Sequence, residues 1–99
     1  MPRLLNDEEI DRQLAALPDW SRGDDALRRT LEARDFATAI RIVTEVADVA
    51  EEMDHHPDID IRWRTLHFAL STHSAGGVTQ LDIELAHRID EIARDTAEQ

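Results

Sequence analysis

The strongest constraint on this chain lies at Pro57, where the spacing of apolar residues changes from helical to alternating. Upstream, Asp35 reads as a helix cap, and Phe36, Ile40, Val43, Ala47, Ala50 and Met53 recur at intervals of three and four. That spacing predicts a long helix with those residues as its buried stripe. It should stop near His55, because a proline biases the residue before it away from the α region. The β-branched run Ile42-Val43-Thr44 disfavours a helix unless packing compensates. Downstream, Ile59, Ile61 and Trp63 alternate with Asp58, Asp60 and Arg62, giving one apolar and one charged face. A tight connection around Arg64-Thr65 leads to a second alternation. Leu66, Phe68, Leu70 and Thr72 take one face of it, and His67, Ala69, Ser71 and His73 take the other. Together the two runs predict an antiparallel hairpin.

The flanks complete the order of elements. Asn6-Asp7-Glu8-Glu9 has a capping side chain with a glutamate three residues on, and Ile10, Leu14 and Leu17 follow at helical spacing until Pro18. Gly23-Asp24-Asp25 reads as a turn between Trp20-Ser21-Arg22 and the stretch Ala26 to Ala33. Leu27 and Leu31 stand four apart, which also suits a helix, but two strands are the reading adopted. After the flexible Ser74-Ala75-Gly76-Gly77, Thr79 caps a last helix with Asp82 at its third position. Leu81, Leu85, Ile89 and Ile92 form its stripe. The expected fold is α+β, in the order α-β-β-α-β-β-α, with helices packed on one face of a four-stranded antiparallel sheet.

Composition limits what such a domain can do. Ninety-nine residues form one domain, spanning 1–99. A domain of that size buries roughly two-thirds of its unfolded surface, so association between copies would cover useful apolar area. The chain has no cysteine, which excludes disulfides, thiolate metal sites and thiol nucleophiles. Its net charge of −11 repels phosphate backbones and anionic lipid, so nucleic acid and membrane are poor partners. No apolar run approaches the roughly 18 residues that span a bilayer. Met1-Pro2-Arg3-Leu4-Leu5 lacks the apolar core of a secretory signal, and a cytoplasmic location is expected.

The unusual feature is that four of the five histidines lie between positions 55 and 73. His55 and His56 sit where a helix gives way to extended chain, and His73 ends a strand just before a glycine loop. Imidazoles move protons near neutral pH because their ordinary pKa is about 6.5. Asp54 and Glu51 are placed to fix a tautomer of either neighbour. Blander readings compete. A His-His pair at a helix end is commonly a solvated cap. Trp63 is more simply sheet core than a stacking platform, Asp82 is explained by capping, and His67 and His87 need no role. Three histidines can hold zinc, but adjacent ones rarely converge on one ion and no HExxH pattern is present, so no metal is expected.

These residues resemble the signature of the pterin-4a-carbinolamine dehydratase family. That signature is an acidic residue, three residues, His-His-Pro, five residues, an aromatic, nine residues, His, and a later Asp. Here it reads Glu51, Glu52-Met53-Asp54, His55-His56-Pro57, Trp63, His73 and Asp82. Leu70-Ser71-Thr72-His73 with Ala75-Gly76-Gly77 is similar to the family's second-strand and loop segment, and weaker similarity extends up to Trp20 and Asp35-Phe36.

The resemblance implies the same α-β-β-α-β-β-α fold, and dehydration of 4a-hydroxytetrahydrobiopterin or a related pterin in recycling of the oxidised cofactor. It implies His55, His56 and His73 as catalytic residues. Asp54, Ser71, Thr72 and Ser74 would contact substrate, with Glu51, Trp63 and Asp82 in support. The pterin is then the substrate and no cofactor is expected. A homodimer or homotetramer built through sheet edges and helices is implied as well. Two departures stand out: Asp58-Ile59-Asp60 replaces the aromatics of animal members, and Ser74 stands where an acidic residue is frequent. Two alternatives share the fold: a non-catalytic coactivator or Rubisco assembly factor, and a module for a different reduced pterin. Retention of all three histidines argues for catalysis.

Overall fold

Helix α1, Asp7–Leu14, begins where the sequence places a cap. In the computed structural model, which describes residues 2–97, the Asn6 side chain accepts from Glu9 N and the Glu9 carboxylate from Asn6 N, both at 2.9 Å. Acidic residues at Asp7, Glu8 and Glu9 complement the positive end of the helix. Leu17 lies beyond the last turn but is fully buried, so the apolar spacing marked a core residue that is not itself helical.

The four strands are β1 (Ser21–Gly23), β2 (Ala26–Glu32), β3 (Asp58–Arg62) and β4 (Thr65–Leu70). They form one antiparallel sheet in the order β1-β2-β4-β3. Asp24 and Asp25, both at positive φ, turn the first hairpin in two residues. Register aligns Leu27 with Leu70, Leu31 with Leu66, and Ile59 with Phe68, so apolar side chains share one face. Helices α2 (Phe36–Met53) and α3 (Gln80–Ala97) cover that face, and the expected order of elements and layers is observed. Arg28, Thr30, Asp58 and Asp60 stand exposed on the other face. Leu17, Leu27, Leu66, Phe68, Leu70, Ile83, Leu85 and Ile89 form the centre of the core, each at most 2% exposed.

Three expectations need correction. The buried face of α2 is Ala39, Ile42, Val46, Val49 and Ala50, while Phe36 is 49% and Ile40 38% exposed and Ala47 faces solvent. Val43 and Met53 pack at the margin of the core. The helix is apolar over most of its circumference, so its sequence carries two stripes of helical period, and only packing against α3 and the sheet selects one. The second correction is Trp63, which is neither strand nor core. It sits at positive φ in the two-residue turn Trp63-Arg64, is 71% exposed, and lies 4.9 Å from the Arg64 guanidinium. The turn therefore falls one residue earlier than Arg64-Thr65, since Arg62 pairs with Thr65. Thirdly, β4 ends at Leu70, and Thr72 pairs instead with Gly77 across the following loop.

The selected face of α2 is testable. Ile42→Ala should cost about 2–5 kcal/mol in urea denaturation, the usual range for a buried isoleucine. A loss below about 1 kcal/mol would put the core on the Ile40 face instead. The first cap makes a pH prediction. The Arg3 hydrogen bond, and then that of the Asn6 backbone, holds the Glu9 carboxyl down to about 2 from its ordinary 4.5. A depressed carboxylate stabilises the fold above its unfolded value and loses that contribution as pH falls through the folded one. The melting-temperature gap between native protein and Glu9→Gln should thus be constant above about pH 5 and close between about pH 4.5 and 2.

Candidate active site

Helix α2 ends in a turn that aims the first histidine inward. Asp54 takes the left-handed conformation, with φ 51°, and its N–H reaches Glu51 O at 3.2 Å. The His55 N–H donates back to Ala50 O at 2.9 Å, closing a Schellman arrangement. Glycine usually fills the left-handed position; aspartate is among the few other residues that tolerate it. As a result His55 is 9% exposed, whereas His56, one residue on, stands in solvent.

Beneath His55 lies the carboxylate of Asp82, which is fully buried. His55 Nε2 is 2.6 Å from Asp82 Oδ1. Asp82 Oδ2 accepts from Thr72 Oγ1 and from Thr79 N, each at 2.9 Å. The Thr72 and Thr79 hydroxyls are 2.7 Å apart, and Thr79 Oγ1 accepts from Leu81 N at 3.2 Å. One carboxylate thus joins the end of α2, the end of β4 and the start of α3. Its location at the N-terminus of α3 adds the favourable pole of that helix.

The Thr72 bond brings the second segment to the first. Thr72 N donates to Gly77 O at 2.8 Å, and Thr72 O accepts from Ala75 N and Gly76 N at 3.0 and 2.9 Å. The loop 73–76 is therefore pinned at its root, and Gly76 turns it at φ 80°. His73 and Ser74 are exposed on this loop, and Ser71 is half-buried at its entry. His56 pairs through Nε2 with Glu51 Oε2 one helical turn back, both side chains being open to solvent.

The residues expected from the sequence separate into three groups. His55, Asp82 and Thr72 are joined directly, with His56, Glu51 and Asp54 beside His55 in sequence and His73, Ser71 and Ser74 beside Thr72. Thr72 itself is 4% exposed, with its hydroxyl and both main-chain groups engaged inside the protein. It is placed to hold the loop. Trp63 is elsewhere: β3 runs five residues from Asp58 to Arg62, so the turn is roughly 16 Å from the histidine end of the hairpin. His67 contacts Thr30 Oγ1 at 3.0 Å on the uncovered sheet face, and His87 is exposed on α3. Thr79 was read from the sequence as a helix cap and not as a site residue, although the Thr-x-x-Asp cap places its hydroxyl in the network. Among the described residues no three His, Asp or Glu side chains converge as metal ligands. A cavity of about 560 Å³ lies away from the histidines, lined by Arg3, Leu5, Gln13, Gln80, Leu81 and Glu84 among others. Its titratable lining is Arg3, Glu9, Arg12 and Glu84, with no imidazole to exchange protons near neutral pH, so the histidine cluster is the better candidate.

The family model for pterin 4 alpha carbinolamine dehydratase matches residues 3–92. The chain belongs to this family. A provisionally named pterin-4-alpha-carbinolamine dehydratase of Nocardia farcinica is 58% identical over 91 residues, covering 92% of this chain and 96% of that relative. A second, equally provisional in name, from Mycolicibacterium smegmatis is 49% identical over 92 residues, covering 93% and 98%. The crystal structure of a protein described as a transcriptional coactivator/pterin dehydratase from Brucella melitensis superposes with a TM-score of 0.87 at 36% identity. It covers 90% of this chain and 97% of that one. A pterin dehydratase-like protein identified as a RuBisCO assembly factor in the alpha-carboxysome matches at 19% identity and a TM-score of 0.62, over 75% of this chain and 86% of that one. This last likeness is one of fold. Among the described residues no helix is long and apolar enough to cross a membrane.

Proposed function

We propose that this chain is a dehydratase converting 4a-hydroxytetrahydrobiopterin, or a related 4a-hydroxytetrahydropterin, to the quinonoid dihydropterin and water. Supporting this reading is the placement of two exposed imidazoles, His56 and His73, on segments that Asp82 ties together beneath through His55 and Thr72. In the reaction the C4a–oxygen bond breaks and its electron pair leaves with the oxygen, which takes a proton to become water. A ring N–H gives up its proton, and the freed pair forms the C=N bond. His56 delivers the proton to the hydroxyl, His73 withdraws the ring proton, and His55 positions the pterin. Asp54, Ser71 and Ser74 border the same segments and serve as substrate contacts. Each proton transfer of this kind contributes about 10²–10⁴-fold. Proton transfer suffices for this chemistry, so the pterin acts as substrate with no further cofactor or metal. Recycling of an oxidised pterin cofactor in the cytoplasm is the setting that follows.

Generating the hydroxypterin in situ and following its ultraviolet absorbance tests the reading. Native protein should accelerate dehydration over the uncatalysed rate, and His56→Ala should lose about 10²-fold or more. The idea fails if folded native protein gives no acceleration, or if His56→Ala loses no more than the exposed control His87→Ala.

Association is part of the same proposal. Phe36, Ile40 and Ala47 leave an apolar stripe on α2 that the core does not use, with Val43 at its margin, and β3 is an open sheet edge. Those two surfaces fit a homodimer or homotetramer. Light scattering at micromolar protein should give at least twice the chain mass, reduced in Ile40→Glu; a monomer mass for native protein sinks this part.

A further inference from the structure

The hydrogen bonds around Asp82 Oδ2 run in one direction. The N–H groups of Thr79 and Leu81 are obligate donors, to Asp82 Oδ2 at 2.9 Å and Thr79 Oγ1 at 3.2 Å. The Thr72 hydroxyl lies 2.9 Å from Asp82 Oδ2 and donates to it. That hydroxyl has one proton, so across the 2.7 Å contact it accepts from Thr79 Oγ1. Asp82 is wholly buried at a helix N-terminus, where a carboxylate's charge is favoured, and its Oδ2 accepts twice. No lysine or arginine side chain bonds it among the described residues, and His55 Nε2 at 2.6 Å completes its shell. Against a carboxylate oxygen, an acceptor only, the proton of that contact sits on Nε2.

We infer that Asp82 is a positioning residue that locks His55 with its proton on Nε2 and couples that ring, through Thr72, to the loop bearing His73. The proton that the His55 ring exchanges is therefore the one on Nδ1, and Nδ1 is the atom left to meet a ligand. The two adjacent histidines are thereby made unlike. His55 is buried and held by a buried carboxylate, while His56 is exposed and held by the exposed Glu51. The same carboxylate sets the separation between the His55-His56 corner and the 71–74 segment, because its two oxygens serve one segment each. The catalytic consequence rests on the proposed dehydratase reading; the tautomer does not.

Long-range proton–nitrogen NMR of the full chain, selectively labelled in histidine and assigned with His55→Gln, tests this directly. Native His55 should show a protonated Nε2 and, once neutral, a bare Nδ1. A ring protonated on Nδ1 alone, or exchanging between both tautomers, overturns the inference. Asp82→Asn should release the ring into mixed tautomers and lower kcat for the hydroxypterin about 10²-fold, with KM within about threefold. An Asp82→Asn protein that keeps both the single tautomer and native kcat also overturns it. If Asp82→Asn does not fold, the native spectrum alone decides. A locked Nε2–H in a protein that fails to dehydrate hydroxypterin supports the positioning role and removes the dehydratase reading instead.

Discussion

A buried carboxylate with no arginine beside it is costly unless its oxygens are filled, and among the described residues Asp82 meets that condition with three groups from three parts of the chain. The consequence reaches beyond its own stability. Because His55 follows α2, Thr72 follows β4 and Thr79 precedes α3, filling the oxygens fixes how three elements meet at one end of the sheet. Removing any donor leaves part of the charge unsatisfied in a dry site, which costs more than the bond itself contributes. The corner depends on all three bonds, and His55 is the histidine they hold.

Rigidity stops at the first layer. His56, His73 and Ser74 stand on the same corner but in solvent, and the loop 73–76 is held by main-chain bonds at its root and a left-handed glycine at its tip. This is the arrangement that acid–base chemistry on a flat ring needs, with orientation supplied from below and exchangeable groups above. It also separates roles that the bare motif leaves equal. His-His reads as a repeated residue, yet the left-handed turn at Asp54 sends the two rings to environments as different as a protein offers.

The order of elements was legible because each boundary has a local cause: Asn6 and Glu9, Asp35, Pro57, and Thr79 with Asp82. The alternation that gave β3 and β4 survives in the register of Ile59 with Phe68. The candidate site was legible as a list, because spacing placed the histidines at element ends. Its internal logic was not. Asp82 and Thr79 look complete as a helix cap, and nothing in a cap indicates that the second carboxylate oxygen holds a histidine 27 positions away. Trp63 was misplaced because alternation continues through it, while the turn conformation that ends the strand leaves no mark on an aromatic residue. The face of α2 failed for a related reason. Two stripes of the same period coexist on it, and periodicity cannot rank them.

Those two misreadings fall on the same end of the molecule. Ala33 N bonds Arg64 O at 2.8 Å, so the start of α2 lies against the β3–β4 turn. Phe36 and Ile40 on the first turns of the helix, Ile61 near the end of β3, and Trp63 in the turn are all exposed there. The histidine corner occupies the other end of the same hairpin, roughly 16 Å away along β3. These four exposed apolar residues thus gather at the end of the hairpin opposite the histidine corner. A chain this short lacks the interior to bury both stripes of α2. Leaving one at the end remote from the histidines allows a surface there to be covered without closing the histidine corner.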